Sequence, residues 1–320
     1  MPINGKKLIV SVTTYPERIN CLQTTLDSIF NQSLKADLII LYLSKEQFPK
    51  EQDGLPEYLL KLQEENKIVI KFVPRDIRSH KKYFYAMQEY PNDLIVLIDD
   101  DLVYEKDMLL LLTESYKKHP NAVSAMRTHL ILTEGEHFKR YHDWLFEAEG
   151  LIDKPSMQLY ATNGAGTLFD PSLFKTDLFD EETIMNACLF TDDMWMKANE
   201  LISGIPVVEV RSRYPLIYVG GSQEISPLCQ INDEDKCFAQ WSAIEEHFDN
   251  KYNEKNILFN KLKESGIMTN DELLSFLLDE RVKGRIREDE FFYGTENIRR
   301  ENEELKKKNS SKAYKLIDAI

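Results

Sequence analysis

The sequence predicts an α/β protein, and three observations carry that prediction. Strand-like apolar runs at Leu8–Val12, Leu38–Leu43, Ile68–Val73 and Leu94–Ile98 alternate with segments of helical spacing, the signature of a layered α/β sheet. The fourth run is apolar without interruption, as expected of a strand buried on both faces. It ends directly in Asp99-Asp100-Asp101, at the carboxyl end of a strand, where α/β sheets gather their ligands.

The elements follow in order. After the first run, Pro16 suits the first position of a helix and Glu17 its positive end, while Ile19, Leu22, Leu26 and Ile29 recur at spacings of three and four; a helix is therefore expected to begin just after Tyr15. Two more helices are predicted over His80–Tyr90 and Lys106–Lys117, ended by Pro91-Asn92 and His119-Pro120-Asn121. Beyond Ala122–Met126 the pattern loosens, and Phe138–Gly150 carries no assignment. Leu159–Phe169 reads as strand interrupted by Asn163-Gly164-Ala165-Gly166, where glycine permits close backbone approach or positive φ. A helix over Asp192–Leu201 and strands at Val207–Val210 and Leu216–Val219 complete the ordered pattern. From about Glu245 the composition turns to charged helical sequence, so the expected division is 1–245 for the main domain and 246–320 for a C-terminal helical extension.

Composition bounds the partners. With 320 residues and 42% hydrophobic content, the chain can bury a large core. A net charge of −14 argues against broad nucleic-acid binding, which needs clustered Lys and Arg. Cys21, Cys188, Cys229 and Cys237 are widely spaced, with no zinc-like pattern, and read as reduced thiols. The N-terminal stretch MPINGKKLIV turns polar again at Ser11, too soon for a signal-peptide core, and the longest membrane-like stretch, Met108–Leu112, falls far below the roughly 20 residues of a span. A soluble, cytoplasmic protein is expected.

Alternate side chains of a strand share a face, so Asp99 and Asp101 are expected to converge on one point while Asp100 turns elsewhere. Converging carboxylates repel and take up protons unless a hard divalent cation holds them ionised. An exposed acidic turn is the plain alternative. The triplet lacks the glycine and terminal glutamate of an EF-hand loop, which excludes that calcium site.

With the acids on the fourth strand, the chain from about Lys7 to Tyr252 resembles the GT-A fold glycosyltransferases, especially bacterial family-2-like enzymes of capsule or lipopolysaccharide synthesis. The resemblance rests on LIVSVTTYPERI, LIVLIDDDLVYEKD, TNGAGTLF and TDDMWMK, in that order. It implies a three-layer, Rossmann-like fold with a mixed central sheet. It also implies Mn2+ or Mg2+ held by Asp99 and Asp101 against the diphosphate of a nucleotide-sugar, with Asp100 accepting a ribose hydroxyl or supporting the site. Thr13, Thr14, Tyr15 and Arg18 would cup the nucleoside, Asp76 would bond the base, and Lys82 would face the donor. The backbone at Asn163 and Gly164 would line the sugar or acceptor subsite. Asp193, with Asp192 as second choice, would be the general base of an inverting transfer.

Each assignment has a structural alternative. Thr191 is a good N-cap and two aspartates suit a helix start without catalysis. Lys81 and Lys82 suit a solvated helix face. Gly220-Gly221-Ser222-Gln223 reads as a loop closing over the donor or as a surface turn. Family members often supply a third metal ligand from a late histidine, and His247 is the only one downstream, though it also reads as a solvated helix residue. The Q-x-x-R-W motif of processive synthases is absent, although Gln240-Trp241 occurs.

The expected partners are a nucleotide-sugar, taken as a UDP-sugar, and a glycan or lipid-linked glycan acceptor. The tail from Glu296 to Ile320 is a candidate for peripheral membrane contact or for homo-oligomer formation. A nucleotidyltransferase and a non-catalytic nucleotide- or sugar-binding scaffold are the rival readings; VTTYPERI is not the Gly-rich loop of the former.

Overall fold

Apolar residues that repeat every second position on both faces need cover on both sides, and the chain supplies it. The computed structural model describes residues 3–147, 153–210, 215–224 and 234–268, with 272, 273 and 275. Its central sheet has seven strands: β1 (Leu8–Thr13), β2 (Leu38–Ser44), β3 (Val69–Val73), β4 (Leu94–Leu97), β5 (Val123–Ala125), β6 (Thr167–Phe169) and β7 (Val207–Glu209). They lie in the order β7-β5-β6-β4-β1-β2-β3. Strand β6 runs antiparallel to both β4 and β5, and the other pairs are parallel. The sheet is therefore mixed, as expected.

The helices are α1 (Leu22–Phe30), α2 (Glu57–Glu64), α3 (Lys81–Glu89), α4 (Met108–Lys118), α5 (Glu181–Ala187), α6 (Asp192–Ser203), α7 (Glu234–Tyr252) and α8 (Ile257–Glu264). Alternation along β4 divides them. Leu94, Val96 and Ile98 join one apolar cluster with Leu22 and Leu26 of α1, Leu59 of α2 and Leu109 of α4. Ile95 and Leu97 join the other with Phe84 of α3, Trp195 of α6 and Ile244 of α7. Each fully buried aliphatic side chain contributes about 1.5–3 kcal/mol relative to exposure, so β4 is anchored from both sides just before the acids.

Two sequence expectations shift. The first helix starts at Leu22, because residues 16–21 form successive turns closed by Arg18 N–H to Tyr15 O at 3.0 Å and Cys21 N–H to Arg18 O at 2.8 Å. Those turns bring Arg18 inward instead of leaving it on a helix surface. The boundary expected at 245 falls inside α7, whose Trp241, Ile244 and Phe248 are buried in the main core. Part of the segment without assignment, Leu145–Phe146, joins Thr128–Leu130 and Leu159–Ala161 in a small antiparallel sheet. Among the described residues Cys21, Cys188 and Cys237 form no disulfide. Cys229 and the tail from Glu296 lie outside the described residues. No helix among the described residues is long and apolar enough to cross a membrane.

Half-buried Glu245 faces this core from α7, and burial, with Asp249 nearby, pushes its carboxyl up to about 7. The folded state thus binds a proton between about pH 4.5 and 7 that the unfolded chain does not, so this group costs stability as pH rises through that window. Glu245→Gln is expected to raise stability at pH 8 by about 1–2 kcal/mol, after allowance for partial exposure, and to change it little at pH 4.5. Urea unfolding at the two pH values measures this, and an equal effect at both would contradict it.

Candidate active site

The acid triplet stands where β4 ends. Ladder pairing of β4 stops at Leu97, and Asp100-Asp101 form a turn, so strand alternation no longer governs the side chains. Asp100 and Asp101 meet the same Arg18 guanidinium, at 3.1 and 2.9 Å. Thr14 Oγ1 also donates to Asp100. Asp99 instead turns to α3, where Lys82 Nζ lies 2.7 Å from its Oδ1. The expected divergence of Asp100 is therefore overturned; the turn and the buried Arg18 pair Asp100 with Asp101.

Lys82 also approaches Asp192 Oδ2 at 3.2 Å, and Ser79 Oγ donates to Asp192 Oδ1 at 2.6 Å. One buried ammonium thus serves carboxylates from two distant segments, which raise its pKa against the cost of burial. Asp192 is held below the usual carboxylate range by Lys82 and by the Ser79 hydroxyl despite burial. Asp193 is pushed well above that range by burial and by the neighbouring Asp192. Its Oδ1 accepts the Asn163 N–H at 3.0 Å.

Beneath them His80 is fully buried. Its Nε2 lies 2.9 Å from the Cys188 carbonyl and its Nδ1 2.9 Å from the Tyr83 hydroxyl. A carbonyl only accepts, so Nε2 carries the proton and Nδ1 accepts from Tyr83. Burial lowers the imidazole pKa to about 4. This neutral ring ties the start of α3 to the segment that leads into α6.

Residues 162–169 bridge the two acidic groups. Asn163–Ala165 form a single 3₁₀ turn between Leu159–Ala161 and β6. A β-carbon at Gly164 would lie 1.7 Å from Asp99 Oδ2, so the Asp99 carboxylate rests where only glycine leaves room. Both polar atoms of the Asn163 carboxamide are buried without a partner among the described residues.

A cavity of about 590 Å³ opens over these groups, within the range of small-molecule sites. Asp99, Asp100, Asp101 and Asp193 all line it, as do Thr13, Thr14, Tyr15, Arg18 and Gly164. Lys82, Asp192, Asn163 and Asp76 support it from behind without lining it. Asp76 pairs with Lys81 and, at 3.1 Å, with Arg78. Lys81, for which a solvated helix start was the alternative reading, is buried and lines the cavity. His247 stands elsewhere: its ring packs on Trp195, and Nδ1 lies 3.3 Å from Thr183 Oγ1. Its expected place beside the metal is not supported by this position.

Sequence reading missed Arg127, Tyr141, Phe190 and Arg78, which also line the cavity. Arg78 lies over the Phe190 ring at 5.7 Å. The one available signal was the aromatic density of Phe138–Phe146. At the mouth, Ile217–Tyr218 pairs with Leu102–Val103, and Val219 N–H donates to the Asp101 carbonyl at 2.8 Å.

A profile described as Glycosyl transferase family 2 matches residues 9–181, more than half of the chain. The chain belongs to that family. No curated protein matches this glycosyltransferase. Among solved structures it is similar to the mannosyltransferase PcManGT from Pyrobaculum calidifontis in complex with GDP-Man and Mn2+. That likeness has 14% identity and a TM-score of 0.40, over 92% of this chain and 85% of the other. The family and the mixed sheet between helical layers define an α/β, GT-A fold.

Among the described residues no three His, Cys, Asp or Glu side chains form a ready-made metal cage. Mg2+ and Mn2+ sites at phosphates need none, because one or two carboxylates suffice and phosphate and water supply the rest. The Asp99 side chain is 43% exposed, and Asp99 and Asp101 both line the cavity. The hard oxygen donors present fit such an ion.

Gly164→Ala is expected to displace the Asp99 carboxylate and lower turnover at least 10-fold, since displacements of about 1 Å can cost 10²-fold. Steady-state kinetics of the purified variant measures it. Wild-type turnover would show that the Asp99 position is not needed.

Proposed function

We propose that this glycosyltransferase moves one sugar from a UDP-sugar to a hydroxyl of a bacterial surface glycan or lipid-linked glycan, with inversion. The observation that carries the reading is one cavity lined both by the acid turn Asp99–Asp101 and by Asp193. Thr13, Tyr15 and Arg18 border the nucleoside end, where Tyr15 offers a ring face. Asp100, fixed by Thr14 and Arg18, orients that turn and is the candidate for a ribose hydroxyl. Asp99 and Asp101 would hold Mn2+ or Mg2+, which when bound neutralises charge on the departing diphosphate.

Asp193 accepts the proton of the acceptor hydroxyl as that oxygen bonds to the anomeric carbon and the bond to the diphosphate breaks. Its raised pKa makes it a stronger base than an exposed carboxylate. The Asn163 N–H holds its other function, orientation, by fixing Oδ1. Lys82 sits between the Asp99 and Asp192 carboxylates, so their repulsion does not open the site. Asp76 acts in this arrangement through Lys81 and Arg78, which it holds at the cavity wall.

A thermal-shift screen of nucleotides and nucleotide-sugars, with and without Mn2+, tests the donor site. Stabilisation by UDP only with metal is expected, about 2.7 kcal/mol at 100 times Kd, and it should be lost in Asp101→Ala. Asp193→Asn should keep that stabilisation while transfer falls about 10²- to 10⁴-fold. Stabilisation by no nucleotide would overturn the donor reading, and wild-type transfer by Asp193→Asn would overturn the base.

A further inference from the structure

Tyr104 takes no part in the cavity lining, yet its hydroxyl lies at the junction of the two acidic segments. It follows the acid triplet on the strand-like segment that leads toward α4, and its side chain is buried. The oxygen accepts the Asp99 N–H at 2.8 Å and donates its proton to the Gly164 carbonyl. Asp99 N–H also reaches that same carbonyl, at 3.2 Å. An amide, a hydroxyl and a carbonyl therefore close a small ring of hydrogen bonds in the protein interior.

The ring has consequences on both sides. On one side it fixes the backbone of Asp99, whose carboxylate rests against the α-carbon of Gly164. On the other it fixes the turn whose preceding residue, Asn163, presents its N–H to Asp193. The route from Asp99 to Asp193 thus runs through two adjacent peptide units, and the phenol is the side chain that locks them to the acid turn. Burial raises the phenol pKa well above its ordinary value, so the donor proton stays in place throughout the neutral range.

We propose that Tyr104 is a positioning residue: its hydroxyl sets the spacing between the acid turn and Asp193 by clamping the 163–164 turn to the Asp99 backbone. The consequence for turnover rests on the glycosyl-transfer reading above; the clamp itself does not. A phenylalanine keeps the ring in the core and removes only the hydroxyl, so packing is conserved while the clamp is lost. Loss of alignment without loss of binding contacts lowers kcat with little change in KM.

The test compares wild type with Tyr104→Phe in the full chain by amide hydrogen exchange, nucleotide-dependent thermal shift and steady-state kinetics. Exchange at residues 99 and 163–166 is expected to accelerate at least 10-fold, with exchange in β1 and β2 unchanged. Nucleotide stabilisation should persist, and kcat should fall about 10- to 100-fold with KM within about 2-fold. Unchanged exchange at residues 99 and 163–166 would overturn the clamp whatever the activity. Faster exchange with unchanged kcat would overturn its role in spacing the acids. Faster exchange in the variant, with a wild type that shows neither nucleotide binding nor transfer, would leave the clamp standing and remove the glycosyl-transfer reading. Should Tyr104→Phe not fold, exchange of the Asp99 amide in wild type supplies the reading: protection comparable to β4 is expected, and exchange as fast as an exposed loop would overturn the clamp.

Discussion

The arrangement depends on where the charge of one lysine goes. Asp99 and Asp192 come from segments more than ninety residues apart, and bringing a half-exposed carboxylate against a buried one is costly without a counter-charge. Lys82 Nζ lies within 2.7 and 3.2 Å of them and makes their approach favourable. Without that ammonium the end of β4 and the start of α6 would repel, and the cavity between them would not hold its shape. Arg18 does the same for Asp100 and Asp101. Opposite charges thus shape the acidic wall from behind and from the side.

Around this electrostatic centre the remaining contacts are mostly neutral. His80, Tyr83 and the Cys188 carbonyl join α3 to the approach of α6 without adding charge. The glycine turn at 163–166 makes space for the Asp99 carboxylate and presents an amide to Asp193. The result separates two carboxylates that are neighbours in sequence. Asp192 faces the lysine and stays ionised, whereas Asp193 faces the cavity with a raised pKa. Environments that push adjacent acids apart are a recurring means of giving them different work.

Much of this was legible in the sequence because it follows from short-range pattern. The four parallel strands, the helix at 192, the interruption at 163–166 and the acids beyond β4 all declare themselves through period, glycine or position. What was not legible depends on partners distant in the chain. Pro16 and Glu17 carried a good helix signal, yet Arg18 is drawn inward to meet Asp100 and Asp101, and tight turns replace the helix. Lys81 and Lys82 look like a solvated basic pair until Asp76, Asp99 and Asp192 surround them. His247 offered a ligand-like side chain but faces Trp195 and Thr183. Arg127 and Tyr141 have no motif of their own, because only the antiparallel excursion around Thr128–Leu130 brings them to the cavity.

The two-stranded pairing of Ile217–Tyr218 with Leu102–Val103 gives the cavity mouth a register. Leu216 and Tyr218 line the opening, while Ile217 between them is 52% exposed. Alternate residues of a strand face opposite ways, so a slip of one position would turn both lining side chains outward and present their neighbours instead. The Val219 N–H bond to the Asp101 carbonyl pins that register. That one backbone bond therefore selects which side chains an incoming substrate meets.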